Sequence, residues 1–237
     1  MPDIQLLKIK HWYKSIWFKV LLIVIILFFI FGAMYLYQIF NIYKQMKAGT
    51  YVSPESVTAQ PPYDMSLLID KMSPSYGLVN AKVVVVEFGD FNCHYTQQEY
   101  PIFRSLMEKY KDQVLFYWRN DPVIEQSSVD LAKAVVCANK QGKFWPLHDK
   151  FFQMVGKLDV NNLAPVAQSV GLNTKTFKSC LDSDLTTAQV GKDVDAAADG
   201  EVKGTPTFFI NGYKVEGAVD LVTWEKIIDS FLTVTKR

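Results

Sequence analysis

The sequence predicts an α/β domain behind a single N-terminal membrane-spanning helix, and three observations lead there. Residues 20–37, VLLIVIILFFIFGAMYLY, contain no charge. A β-branched apolar run at 82–88, KVVVVEF, suits a buried central strand better than an amphipathic helix. The segments around that run fall in the order strand, helix, strand, then a series of short helices, then strand, strand, helix. The first three predict a right-handed βαβ unit with parallel strands.

Extended to Ile39 and Phe40, the uncharged run reaches about 20 residues, the length that spans a bilayer as a helix. The alternative, a signal-peptide core, is disfavoured by the length and by the lack of a small-x-small cleavage site close behind. Trp12, Trp17, Tyr35, Tyr37 and Tyr43 bracket the run as an aromatic belt would. Lys8, Lys10, Lys14 and Lys19 precede it against Asp3 alone, whereas Lys44 and Lys47 follow. This asymmetry keeps the N-terminus cytoplasmic and puts everything after the span outside. The chain is +1 overall, and residues 1–47 account for six lysines and one aspartate, so the body beyond is net acidic. With no Lys/Arg stripe in that body, nucleic acid is excluded as a partner. The expected organisation is a cytoplasmic segment at 1–19, a transmembrane helix at 20–40, an extracytoplasmic linker at 41–75, and a folded domain at 76–237.

The linker assignment rests on Pro54, Pro61, Pro62 and Pro74 with scattered Ser and Thr, interrupted by one short helix at DMSLLIDKM. In the domain, Phe103, Leu106, Met107 and Tyr110 recur at helical spacing, and Pro101 should kink or restart that helix. QVLFYW (113–118) is the second strand. A helical insertion, about 125–200, is built from short periodic segments, with Asn161-Asn162 starting one and Gly171 closing it. TPTFFI and YKVEGA flank Asn211-Gly212, the strongest short hairpin signal. LVTWEKIIDSFLTV closes the chain as a helix.

Three cysteines leave one odd thiol in a compartment that permits disulfides. Cys93 follows Gly89-Asp90-Phe91-Asn92 at a predicted helix start. Unpaired backbone N–H groups and the helix dipole favour an anion there, and for cysteine the anion is the nucleophile. His94, as a cation, would add to this. The alternative is a buried structural cysteine, against which stand the polar flanks NCHYT and the helix-start position. A second feature, GTPTFFING, sets Pro206 just before a strand, where it cannot donate to the ladder. By itself it is an ordinary loop proline.

Together, VVVVEFGDFNCHYTQQEYP, FYWRNDPV, CANKQGKFWPLHDKFF, FKSCL and VKGTPTFFINGYKVEGA resemble the DsbA-like thiol–disulfide oxidoreductases, from about Tyr76 to the C-terminus. The resemblance implies a thioredoxin-like fold with an inserted α-helical subdomain. It also implies a cis proline beside the active cysteine, which maps to Pro206 with Thr205 before it. An acidic residue six positions before the nucleophile maps to Glu87, where it would relay a proton to or from a leaving thiol; from the residues alone, a strand-edge surface glutamate is equally open.

The departure is at Thr96. The family pattern is cysteine, two residues, cysteine, and here it is Cys93, His94, Tyr95, Thr96. A second cysteine would resolve a mixed disulfide. A threonine hydroxyl cannot, although it is placed to donate a hydrogen bond to the Cys93 sulfur. Either an external thiol resolves the intermediate, or the domain holds partners without turnover, or it acts as a trap. Cys137 and Cys180, 43 residues apart in the insertion, are expected to form a structural disulfide; two separate core cysteines, or a resolving role toward Cys93, are the alternatives. His148, in FWPLHDKFF, reads as a packed or capping histidine. The histidine and cysteine spacings match no zinc pattern, the glycines form no phosphate-binding fingerprint, and no cofactor is expected.

The leading functional expectation is therefore a membrane-anchored extracytoplasmic thiol–disulfide oxidoreductase working through Cys93. Its partners would be thiol- or disulfide-containing proteins, an external resolving thiol, and the lipid bilayer. The competing expectation is a non-catalytic interaction domain that keeps the fold. A one-cysteine peroxidase is a third class, with no independent sign of an oxidant pocket.

Overall fold

The structure, a computed structural model, describes residues 16–49 and 61–234, with side chains of the first stretch described over 17–37. The lysine-rich start, Trp12, the side chain of Tyr43 and the middle of the expected linker lie outside the described residues. Helix α1 (Ile16–Gly49) contains a 21-residue stretch, Trp17–Tyr37, of mean hydropathy 2.8 and none of it buried. It is long and apolar enough to cross a membrane, and it fits a membrane anchor. The helix does not stop at residue 40 but continues to Gly49.

The rest of the chain forms a second compact unit. Its elements are α2 (Met65–Leu68), β1 (Ser75–Gly77), β2 (Val83–Gly89), α3 (His94–Tyr110), β3 (Val114–Asn120), α4 (Gln126–Asn139), α5 (Phe144–Gln153), α6 (Ala164–Ser169), α7 (Thr174–Leu181), α8 (Asp184–Asp199), β4 (Thr207–Ile210), β5 (Tyr213–Glu216) and α9 (Leu221–Val234). The five strands form one sheet in the order β1-β3-β2-β4-β5. The β2–β3 pair is parallel, from Val83↔Val114 to Gly89↔Asn120, and every other pairing is antiparallel. This is the thioredoxin-like fold.

Strand β2 is central and covered on both faces, which is why its sequence is a continuous apolar run rather than an alternation. Val83 and Val85 face one core, formed with Phe103, Leu106 and Met107 of α3 and Trp224, Ile227 and Ile228 of α9. Val86 and Phe88 face the other, with Leu68 of α2 and Ala196 and Ala197 of α8. A third core fills the helical insertion and reaches Phe91 and Trp118. Disulfide Cys137–Cys180 joins α4 to α7, with Cα atoms 5.7 Å apart. Closing a separation of 43 residues contributes ~4 kcal/mol in the chain-entropy account.

Two expectations change. The first is the linker. Tyr63 N donates to the Gly212 carbonyl (2.8 Å), Leu68 is buried in the core, and β1 adds an edge strand to β3. Buried Arg119 of β3 holds the same segment through Asp70 (3.4 Å) and Ser73 Oγ (2.8 Å), while its Nε lies 3.0 Å from Asp193 of α8. The domain therefore starts near residue 61, and its first fifteen residues are tied down by tertiary contacts that no local pattern announces. The second is Pro101: of the expected kink or restart, the restart does not occur, because one helix runs through it from His94 to Tyr110. Residues on both sides of it, Thr96 and Phe103 among them, are buried against the sheet, and this packing offsets the lost backbone bond. The hairpin is as the dipeptide implies, with positive φ at both Asn211 (49°) and Gly212 (89°).

Leu68 tests the domain start. Leu68→Ala should destabilise the second unit by about 2–5 kcal/mol, as for a buried leucine, measured by urea unfolding of the full chain in detergent. A change within about 0.5 kcal/mol, the usual effect of an exposed substitution, would return this segment to the linker.

Candidate active site at the first turn of α3

Strand β2 ends at Gly89, whose bare Cα lets the Trp118 indole lie across it; any Cβ would overlap the ring. Asp90 then turns the chain. Its carboxylate accepts from the backbone N–H groups of Asn92 (2.8 Å), Val123 (2.9 Å) and Ile124 (3.0 Å), and its carbonyl accepts from Cys93 N (3.1 Å). One carboxylate thus ties the loop after β2 to the loop after β3. Cys93 follows as the N-cap of α3, with extended backbone and no side-chain cap bond.

Cys93 is buried, only 6% exposed, despite its polar neighbours. The loop before β4 covers it: the thiol donates to the Thr205 carbonyl at 3.0 Å, and the Thr205–Pro206 peptide is cis. Pairing of β4 with β2, Phe88↔Thr207 and Glu87↔Phe208, fixes that loop over the start of α3. So Cys93, Thr205 and Pro206 come together although 112 residues separate Cys93 from Thr205.

The remaining expected groups are placed differently. His94 is exposed, and its Nε2 is 2.9 Å from Gln98 Nε2. Thr96 is fully buried, and its hydroxyl has no hydrogen-bond partner, so the expected bond to Cys93 is not made. The thiol hydrogen goes to the Thr205 carbonyl instead, and the Thr205 hydroxyl is likewise buried without a partner. Glu87 is not a strand-edge surface residue. It shares the α3-facing side of β2 with Val83 and Val85, and lies against Tyr100, Phe103 and Met107, deeper along α3 than Thr96. Burial, reinforced by the nearby Glu99 charge, pushes its carboxyl well above the usual range.

One further acid, Glu99, escaped the sequence reading, and Asp121, read there as a structural residue ending the second strand, is also perturbed. Glu99 shares the buried stripe of α3 with Thr96, Phe103, Leu106 and Tyr110. It accepts from Trp224 Nε1 and from Val219 N (2.9 Å), joining α3 to α9 and the loop before it. Burial raises its carboxyl to about 7 against the pull of those two donors. An acidic residue on the apolar stripe of an amphipathic helix was the available signal. Asp121, at the end of β3, is raised to about 6 by burial and by Asp90 beside it. Among the described residues, no group of His, Cys, Asp and Glu is arranged to hold a metal ion.

Comparison with known proteins accords with this geometry. A family model described as Thioredoxin matches residues 70–230, and the chain belongs to that family. The fold superposes on a thioredoxin-like oxidoreductase from Silicibacter pomeroyi DSS-3 (TM-score 0.64, 27% identity, 73% of this chain and 97% of that one). It also superposes on the catalytic domain of Proteus mirabilis ScsC (0.63, 26%, 77% and 99%) and on oxidised BdbD from Bacillus subtilis (0.62, 26%, 69% and 94%). These structural neighbours are of the DsbA and ScsC thiol–disulfide oxidoreductase type. Curated relatives include the Na(+)/H(+) antiporter NhaA 1 of Salinispora arenicola, 31% identical over 158 residues, and NhaA 3 of Salinispora tropica, 34% over 143. The chain spans only 24% and 22% of their lengths.

The buried acids set a pH dependence. Between the ordinary value of 4.5 and about 7, folded Glu99 keeps a proton that the unfolded chain has lost. Stability therefore falls as pH rises through that window and loses nothing more from this group above it. Asp121 acts in the same direction between 3.8 and about 6. Glu99→Gln should reduce, without abolishing, the downward slope of the urea midpoint against pH across this window. An unchanged slope would show that Glu99 is ionised throughout.

Proposed function

We propose that this chain is a membrane-anchored, extracytoplasmic thiol–disulfide oxidoreductase that works through Cys93 alone. One observation carries the reading. Cys93, the one free cysteine among the described residues, stands at the N-cap of α3 with its thiol donating to the Thr205 carbonyl, and one helical turn on, where a dithiol enzyme holds its second cysteine, stands the buried hydroxyl of Thr96. Cys137 and Cys180 are bonded to each other and are not available to resolve an intermediate. Family membership and the oxidoreductase neighbours support the class of chemistry. The apolar helix supports anchoring, and the lysine asymmetry around it supports an outside domain.

In the forward step the Cys93 thiolate attacks one sulfur of a disulfide R–S–S–R′. A Cys93–S–S–R bond forms, the S–S bond of the substrate breaks, and R′–S⁻ leaves with the electron pair and takes up a proton. Glu87, Thr96, Thr205, Pro206 and His94 form the surroundings of this step, with Glu87 as the buried acid. Release needs a second, external thiolate that attacks the mixed disulfide and returns Cys93 to the thiolate. No atom of Thr96 can do this. The antiporter likeness covers less than a quarter of those proteins, so ion transport is not part of this reading.

A non-catalytic binding domain is the second reading. What favours it is the burial of Cys93 with its thiol hydrogen held by a carbonyl. The two readings separate by mass spectrometry of the full chain mixed with a disulfide-containing peptide. The proposal expects a covalent adduct on Cys93 that persists until small thiol is added, none with Cys93→Ser, and spontaneous release with Thr96→Cys. If Cys93 stays unmodified under conditions that load a dithiol relative, the chain is a binding domain.

A further inference from the structure

A buried acid that exchanges protons with a reacting thiol must recover or lose its own proton. Glu87 is 5% exposed, and what acts on its carboxyl is burial and the Glu99 charge, with no hydrogen-bond donor among the described residues. It does, however, line a cavity of about 10 Å³ shared with Tyr100 and Arg104 of α3 and with His148 and Phe152 of α5. That is close to the space one water molecule needs, and a buried water also needs two to four polar partners. The cavity supplies them. His148 Nε2 and Arg104 Nη1 are both buried and both without a hydrogen-bond partner.

The donor and acceptor roles are complementary. Nδ1 of His148 lies 3.0 Å from Asp149 Oδ1, and Arg104 Nε donates to Asp149 Oδ2 at 3.1 Å. The Asp149 carboxylate is an acceptor only, so it fixes the hydrogen of neutral His148 on Nδ1 and leaves Nε2 as a lone pair. Burial keeps this imidazole below the usual histidine range, against the pull of Asp149. Arg104 Nη1 can only donate, and a protonated Glu87 donates as well. Phe91, Trp118, Phe144, Trp145 and Phe152 pack around the His148 ring, and its Nε2 is buried from bulk water. Asp149 and Arg104, by contrast, are partly exposed. The other ionisable groups on this side are Tyr100 and, deeper on α3, Glu99.

We propose that this cavity holds one water bridging Glu87 to His148, and that His148 and Asp149 are the route by which the Glu87 proton reaches solvent. The water accepts from Arg104 Nη1 and from the Glu87 carboxyl and donates to His148 Nε2. When Glu87 gives up its proton by this route, the water takes it and passes one on to Nε2. The Nδ1 proton moves to Asp149 and from there to solvent, and the imidazole changes tautomer. Running the steps backward returns a proton to Glu87, so no charge is stranded in the core. His148 and Arg104 are positioning residues here, acting through Glu87. The inference rests on the reading of Glu87 as the acid of Cys93 chemistry, but its test does not.

The probe is the infrared carbonyl stretch of a protonated carboxylic acid in the full chain at neutral pH, assigned to Glu87 by its loss in Glu87→Gln. His148→Phe removes the acceptor, and Arg104→Met removes the donor that holds the water. Both should move the band to the frequency of a less strongly hydrogen-bonded acid. Both should also slow its hydrogen–deuterium exchange by roughly tenfold, about the effect of one hydrogen bond. His148→Gln, which keeps an acceptor at the cavity, should restore the band position but not the exchange rate. Circular dichroism confirms that each variant is folded, and Arg104→Met carries the test should His148→Phe not fold. A Glu87 band indifferent to both changes, or no Glu87 band at neutral pH, overturns the proposal. Thiol alkylation of Cys93 in the same samples reports on the redox reading separately: a silent Cys93 with the predicted infrared shifts would leave the water route standing and remove its purpose.

Discussion

The two-sided pairing of β2 is the constraint from which the site follows. Parallel pairing to β3 brings the ends of both strands to one edge, where Asp90 binds the loop after β3 and Asp121 lies beside it. Antiparallel pairing to β4 swings the Thr205–Pro206 loop over the same edge. Cys93 is caught between them, capping α3 and covered by the Thr205 carbonyl. Neither pairing partner is close in sequence, so the site exists only once the sheet has formed.

The same arrangement explains why acids are kept where acids are costly. Glu99 retains two donors and joins α3 to α9, while Asp121 is held against Asp90 at the strand ends. Glu87 has no such compensation. A buried carboxyl without a donor destabilises a core unless it stays protonated, and that is the direction in which its surroundings push it. Retaining it between Val85 and Phe88 is hard to account for by packing alone, because a valine or leucine would fill the strand position at lower cost.

Much of this was legible in the sequence, and what was not has a common cause. The apolar run of β2, the Asn211-Gly212 hairpin and the α9 helix are local signals, and the structure has each close to where the pattern puts it. Cys93 at a helix start was legible for the same reason. In the first fifteen residues of the domain the short helix at DMSLLIDKM was legible but its docking was not: Asp70 and Ser73 are held by Arg119 of β3, and Leu68 packs against Val86, Phe88, Ala196 and Ala197. Cys93's burial and the unmade Thr96 bond both depend on the Thr205 carbonyl, which sequence spacing cannot aim. His148 was read correctly as a packed residue, but that its Nε2 is buried without a partner and that its side chain lines the Glu87 cavity are visible only in three dimensions.

The central claim is that one sulfur, and only one, is active. It is tested most directly by equilibrating the full chain in membranes or detergent with oxidised and reduced glutathione and weighing the intact protein. A single reactive cysteine beside a closed Cys137–Cys180 bond predicts uptake of one glutathione per chain, located on Cys93 and removed by excess thiol. No uptake at any ratio, or a disulfide joining Cys93 to Cys137 or Cys180, would contradict the account.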